Sequence, residues 1–189
     1  MWFIFMRNKS LFTSFLTLLA LGGGLSVVDT APAFAAPNCS GETFISCNVA
    51  KNKHLQICIE PANGDAEPKF TYQFTEKDKD GLSLYEDFSA KTVSPWKGVG
   101  RAINSTVTFN NEGYKYQVWQ SFDRLDEEAE LEAGVHISKG DEDIASFTCQ
   151  RDAQTKIAPL FALEDAMEQA GWCYDSGKFE WLRCENKSQ

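Results

Sequence analysis

Residues Ile103-Asn104-Ser105-Thr106-Val107-Thr108-Phe109-Asn110-Asn111-Glu112-Gly113-Tyr114-Lys115-Tyr116-Gln117-Val118-Trp119-Gln120-Ser121 decide the fold. In the first arm Ile103, Ser105, Val107 and Phe109 share one side of an extended chain, with Asn104, Thr106 and Thr108 on the other. Asn110 to Gly113 supplies turn chemistry, and the return arm puts Tyr114, Tyr116 and Val118 on one face against Lys115, Gln117 and Trp119. A period of two on both arms, interrupted by a glycine-ended turn, predicts an antiparallel hairpin with one buried face.

The same period extends outward. Upstream, Phe44 to Val49 and His54 to Glu60 read as strands joined around Lys51-Asn52-Lys53, and Phe70, Tyr72 and Phe74 alternate with Thr71 and Gln73. A weaker strand follows at Leu84 to Phe88, and residues 90–101 carry the loop sequence Ser94-Pro95-Trp96-Lys97-Gly98-Val99-Gly100. Downstream, Asp123 to Glu132 is a charge-rich connection, and Gly134 to Ser138 pairs with Ile144 to Cys149 across Lys139-Gly140-Asp141-Glu142-Asp143. Seven or eight short antiparallel strands joined in order predict a mainly β domain over residues 36–150, a meander forming a small barrel or sandwich.

Residues 151–189 change character. Pro159 suits a first helical turn, Leu160, Leu163, Met167 and Ala170 fall on one helical face, and Gly171 suits a terminator. Cys173 to Cys184 then reads as a small hairpin closed by its own bridge. This C-terminal extension needs somewhere to bury its apolar helix face, and the polar-face Trp119 is the expected place.

The N-terminal 35 residues are read as a signal peptide. Arg7 and Lys9 precede an apolar stretch from Leu11 to Val28, and Ala33 and Ala35 form the small-x-small pattern of a cleavage site after Ala35. The apolar Met1 to Met6 stretch leaves Met1 and Met6 both open as the start. No later segment is apolar enough to span a bilayer, so no membrane insertion is expected after cleavage. The mature chain carries 18−2 = 16 basic and 27−1 = 26 acidic residues, a net charge of −10. Such a surface repels nucleic acid and favours cationic protein partners. Its length supports a single core, and a monomer is expected.

All six cysteines lie in the mature part, an even count that in an exported chain reads as three disulfides. Zinc is the alternative, but there is no C-x2-C pair and only His54 and His136 are available. The short loop selects Cys173–Cys184. Pairing Ile45 with Ile59 and Val49 with Leu55 turns Cys47 inward and Cys58 outward, while Cys149 shares the inward face of Phe147. That arrangement selects Cys47–Cys149 and Cys39–Cys58, and a one-residue slip would exchange the faces.

No catalytic set emerges, and no cofactor is implied. Both His54 and His136 are read as solvated strand residues without a nucleophile, and no metalloprotease, phosphate-loop or nucleophile-elbow pattern occurs. A glycosidase-type carboxylate pair cannot be picked out by spacing from so many acids. Glu76, Asp78 and Asp80, with Gly81 and Asp87, fall at positions of a calcium loop, but the flanks are strand-like, and a solvated turn is the plainer reading. The candidate binding residues are Trp96 and Lys97, in a loop on a rigid β scaffold, and Trp119 on the polar face of its strand.

The runs Phe44-Ile-Ser-Cys47, Lys53-His-Leu-Gln-Ile-Cys58 and Phe70-Thr-Tyr72-Gln-Phe74, with Gly113-Tyr-Lys-Tyr116, Gly134-Val-His-Ile137 and Ala145-Ser-Phe-Thr-Cys149, resemble a group of uncharacterised exported bacterial proteins. The likeness covers about residues 39–149. The design is also loosely similar to periplasmic lysozyme inhibitors, small disulfide-bonded β domains. The resemblance supports a periplasmic or secreted β fold and supplies no active site. The negative charge, the stapled β scaffold and the lack of a recognisable catalytic set lead to the expectation of a binding module, most concretely an inhibitor of a cationic hydrolase such as lysozyme acting through its acidic surface and the 90–101 loop. The alternatives are a small-ligand carrier built as a barrel and, behind it, a carbohydrate-active enzyme.

Overall fold

The structure is a computed structural model and describes residues 39–50, 52–77 and 79–186; the expected signal peptide lies outside them. Eight long strands follow the period-two runs: β1 (Glu42–Ala50), β2 (Lys53–Glu60), β3 (Lys69–Glu76), β4 (Leu82–Asp87), β6 (Ala102–Asn111), β7 (Tyr114–Asp123), β8 (Glu132–Lys139) and β9 (Glu142–Thr148). Short strands β5 (Val93–Ser94) and β10 (Lys156–Ile157) add to the sheet edges. The C-terminal region forms α1 (Ala162–Gln169) and the hairpin β11 (Trp172–Asp175) and β12 (Glu180–Arg183).

The strands assemble into two antiparallel five-stranded sheets, ordered β10-β1-β2-β3-β4 and β5-β6-β7-β8-β9. Neither sheet closes on itself, so of the two expected architectures the sandwich is formed and the barrel is not. Tyr72 of the first sheet meets Phe109 and Tyr116 of the second, with ring centroids 5.4 and 5.5 Å apart, and Phe74 meets Phe147 at 5.4 Å. Between the sheets lie Ile45, Leu55, Ile57, Phe70, Val107, Val118 and Val135, all essentially without solvent exposure. Glu112 and Gly113 both take positive φ, as the tight turn of the β6–β7 hairpin requires.

The first hairpin pairs Ile45 with Ile57 and Cys47 with Leu55, two residues away from the expected register. A shift of two preserves which face each side chain takes, so Cys47 still points inward. The shift accompanies a bulge between Thr43 and Ile45, which leaves Phe44 as an extra residue and buries it beside Ile45. Disulfides join Cys39–Cys58, Cys47–Cys149 and Cys173–Cys184, the pairs selected by strand face and loop length. Such bridges belong to an oxidising, exported environment. Cys47–Cys149 closes a separation of 102 residues and ties β1 of the first sheet to the end of β9 in the second.

Residues 151–189 are not an appendage. Strand β10 pairs with β1, and Leu163 and Met167 of α1 are fully buried in the common core. Helix α1 begins at Ala162, later than Pro159 suggests, because the Pro159 carbonyl accepts the Ala162 N–H in a turn and Phe161 takes a left-handed conformation. Gly171, at φ 81°, ends the helix as expected. The β11–β12 hairpin is anchored by Trp181, whose buried indole N–H donates to the Val93 carbonyl at 3.0 Å. No helix among the described residues is long and apolar enough to cross a membrane.

Candidate functional site

Three connections far apart in sequence meet at one end of the second sheet. The loop between β5 and β6 carries Trp96 and Val99, the turn after β7 carries Arg124 and Leu125, and the β11–β12 tip carries Phe179. The Trp96 indole N–H donates to the Val99 carbonyl at 2.9 Å, which folds the loop back on its own tryptophan. The Arg124 guanidinium lies 5.3 Å from the Trp96 ring centre, and the Arg124 N–H donates to the Arg101 carbonyl. Lys97 reaches across to the Phe179 ring at 5.5 Å.

The exposure is unusual for large apolar side chains. Val99 is 72 %, Leu125 69 % and Phe179 55 % exposed. Phe179 also holds a left-handed backbone, which an aromatic residue adopts at a cost. A burying fold does not produce such a cluster for stability's sake, and exposed apolar groups brought together mark an interaction surface.

Charge at this end is divided. The cations are engaged within the chain: Lys97 on Phe179, Arg124 on Trp96, Arg101 with Asp123 and Lys178 with Asp175. Asp126, Glu127 and Glu128 follow Leu125 directly, are exposed, and form no ion pair among the described residues. The exposed end of the sheet is therefore apolar with an acidic border.

Beneath the loop lies Glu164, in the first turn of α1. Both carboxyl oxygens are closed to solvent, and neither reaches a donor in hydrogen-bond geometry, although the backbone N–H groups of Glu164 and Trp96 face them. Burial pushes this carboxyl up to about 7; the two N–H groups oppose the shift, and Asp165 and Glu168 reinforce it. Closed to solvent, Glu164 cannot touch a substrate in this conformation, and its sequence neighbour Asp165 is exposed. No glycosidase-type carboxyl pair is assembled here.

The candidate residues thus separate. Trp96 and Lys97 sit within the cluster, whereas Trp119 does not. It lies half-buried across Gly134, where a Cβ would clash with the Phe147 carbonyl oxygen and come within 2.8 Å of the indole, and these close approaches explain the glycine. The expected cover by α1 is not found. Leu163 and Met167 enter the core on the side of Val118 and Gln120, and the Gln120 amide donates to the Ala158 carbonyl. Val99, Leu125, Phe179 and Glu164 were not singled out by sequence reasoning. Leu125, apolar directly before the acidic run Asp126-Glu127-Glu128, was the available signal.

His54 is not the solvated residue its lysine neighbours suggested. It is buried on the outer face of the first sheet, with Nε2 3.2 Å from the Ser46 hydroxyl and Nδ1 3.3 Å from the Asn48 side-chain oxygen. Asn48 in turn donates to Asp152 at 3.1 Å. Burial lowers the pKa of His54 against the opposing pull of Asp152, which favours the neutral ring. The order serine, histidine, amide resembles a catalytic triad, but Ser46 sits within β1, paired with Lys156 of β10 on one side and Gln56 of β2 on the other. Its neighbouring amides belong to those ladders, so no pair of donors is offered to an oxyanion. The network instead locks the hairpin. His136 is partly exposed beside Asp143, at 2.9 Å.

The calcium positions do not converge. Glu76 is opposite Lys53 and holds Lys79 at 2.9 Å, while Asp87 is opposite Lys69 at the other end of the β3–β4 ladder. Asp78 lies outside the described residues. An open groove of about 290 Å³ runs between α1 and the loop after β2, lined by Ile59, Pro61, Pro68, Phe88, Ala166 and Ala170. It is the groove with the most apolar walls among the cavities described, and the sandwich interior is filled by side chains.

No family model matches the chain, and neither the curated proteins nor the solved structures yield a match. The geometry of the site therefore carries the functional reading by itself.

Proposed function

We propose that the protein is a non-enzymatic binding module, periplasmic or secreted, that engages a cationic protein through the Trp96 end of the sandwich. Its most concrete partner class is a cationic hydrolase such as lysozyme, which the module inhibits. The observation that carries this reading is the convergence of Val99, Leu125 and Phe179, exposed and apolar, from three separate connections around Trp96. The acidic border of Asp126, Glu127 and Glu128 and the net charge of −10 of the mature chain supply complementarity to a basic surface. Rigid strands position the three tips, so little ordering entropy opposes association.

Calorimetric titration of the mature protein, bridges intact, against a panel of cationic hydrolases at low and high salt tests this. Stoichiometric binding that weakens with salt is expected, and Val99→Asp together with Phe179→Ser should weaken it by roughly tenfold or more. Absence of binding to every member at low salt removes the reading. The small-ligand alternative then gains weight, and native mass spectrometry of the purified protein would look for added mass in the α1 groove.

A further inference from the structure

We propose that Glu164 is a proton-operated latch beneath the recognition loop: with its carboxyl protonated the Trp96 loop is held against α1, and ionisation loosens it. This inference deepens the binding reading above and rests on it for its biological meaning, though the latch itself is a property of the free protein.

The geometry begins with the burial of an ionisable group whose nearest donors are the backbone N–H groups of Glu164 itself and of Trp96, and which has no cation beside it. Both Glu164 oxygens are inaccessible, and no donor satisfies them. An ionised carboxylate in that position is strongly disfavoured, whereas the neutral acid is tolerated. Two ways out exist. The group takes a proton, or the covering segment moves and lets water in. The segment that meets the carboxyl from outside α1 is the loop that brings the Trp96 N–H to it. Its residues 97–100 are exposed, and Gly98 and Gly100 both take positive φ. The opposite wall is α1, fixed in the core by Ala162, Leu163 and Met167.

The surrounding charges all favour protonation or are engaged elsewhere. Asp165 and Glu168, on the same helix, are both anionic and raise the proton affinity of Glu164. Strand β6, packed against α1, carries no ionisable side chain. Strand β11 brings Tyr174, tilted against the Trp181 ring at 5.2 Å, and Asp175, held by Lys178. The loop brings Lys97 and, at its end, Arg101, which lie on Phe179 and Asp123.

The direction follows from linkage. A carboxyl bound more tightly to its proton in the closed state stabilises that state fully at acid pH. The contribution is lost as pH rises from the ordinary value of 4.5 to about 7, and it is constant above that. Across this window the ratio of open to closed loop rises on the order of a hundredfold. The closed loop is the pre-organised one, so partner affinity is greater at mildly acid than at mildly alkaline pH.

The test uses the mature protein alone. In wild type, the Trp96 indole and Val99 amide resonances should shift between pH 5.5 and 8.5 with a midpoint near that of the Glu164 side-chain carboxyl, observed directly by carbon-detected titration. In Glu164→Gln, an uncharged near-isostere, that transition should disappear while histidine transitions persist. A Glu164 midpoint in the ordinary carboxylate range would overturn the latch, and this measurement needs no variant to fold. Trp96 and Val99 signals that ignore pH in wild type, or that shift equally in Glu164→Gln, would also overturn it. Because no partner is present, these outcomes are separate from failure of the binding reading. A latch without a partner, or a partner bound without pH dependence, is each a distinct result.

Discussion

The outer face of the β1–β2 hairpin and the Trp96 end of the second sheet handle burial in opposite ways. On the hairpin, the buried polar groups are satisfied: Ser46 and His54 bond in series with the partly buried Asn48 and the exposed Asp152, and the Cys39–Cys58 bridge lies on the same face. At the Trp96 end, apolar groups are exposed and the buried polar group, Glu164, is unsatisfied. The first arrangement lowers the energy of the folded chain. The second raises it, and a fold keeps such a feature where something other than stability is at stake. The contrast separates what holds this protein together from what it presents.

The sharpest way to break the comparison is to open the hairpin side. Replacing Cys47 and Cys149 together by serine frees a separation of 102 residues and should lower stability by about 4–5 kcal/mol. Urea unfolding, with the other two bridges intact, measures the loss. A loss below about 1 kcal/mol would show that the core alone joins the two sheets.

Next in size is Glu164→Gln, which should act in the opposite direction. Because the Glu164 carboxyl is raised from 4.5 to about 7, its folded-state contribution is present below pH 4.5 and lost as pH rises through about 7. At pH 8 the variant should be more stable than wild type by up to about 3 kcal/mol, less whatever the opening of the loop already relieves, and at pH 4 the two should coincide. Unfolding curves at both pH values decide the sign.

His54→Ala should cost about 1–3 kcal/mol, since it leaves Ser46 and Asn48 without their shared partner, and partner binding should be unaffected. The pH dependence mirrors that of Glu164. With its folded pKa below 6.5, His54 contributes fully above pH 6.5, and the contribution is lost as pH falls through the folded value. Comparing wild type with His54→Gln between pH 8 and 5 isolates this component. The two regions thus oppose each other in acid, one weakening as the other tightens.

The smallest effect on stability belongs to the exposed cluster. Val99→Ser should change unfolding free energy by no more than about 0.5 kcal/mol while reducing partner affinity. A large stability change there would mean the side chain is buried in solution, and the comparison would fail.

Much of the framework was legible before any coordinates, for physical reasons that differ by element. The strands could be read because a sandwich buries one face of each, and Ile103 to Phe109 or Phe70 to Phe74 record that in every second residue. The disulfide pairs could be read because a register error of two does not change a side chain's face. The barrel alternative stayed open because alternation reports burial and not closure. His54 was misjudged because its flanking lysines signal exposure, whereas a polar network across β1 and β2 encloses it. Of the candidate binding residues, Trp96 and Lys97 fall within the exposed cluster and Trp119 outside it; the face of Trp119 was legible, but its expected helical cover was not, because period two gives a face and not what lies upon it.

Composition, period and cysteine count determined by themselves a disulfide-bonded, antiparallel, mainly β chain with a short C-terminal helix, since these depend on neighbours two to four residues apart. Tertiary structure alone decided that the helix joins the common core, that Gly134 leaves room for the Phe147 carbonyl and Trp119, and that the connections bearing Val99, Leu125 and Phe179 meet around Trp96, whose N–H faces Glu164. Those facts arise from the meeting of segments some 15 to 80 residues apart in the chain, and no local pattern records which distant side chain will arrive.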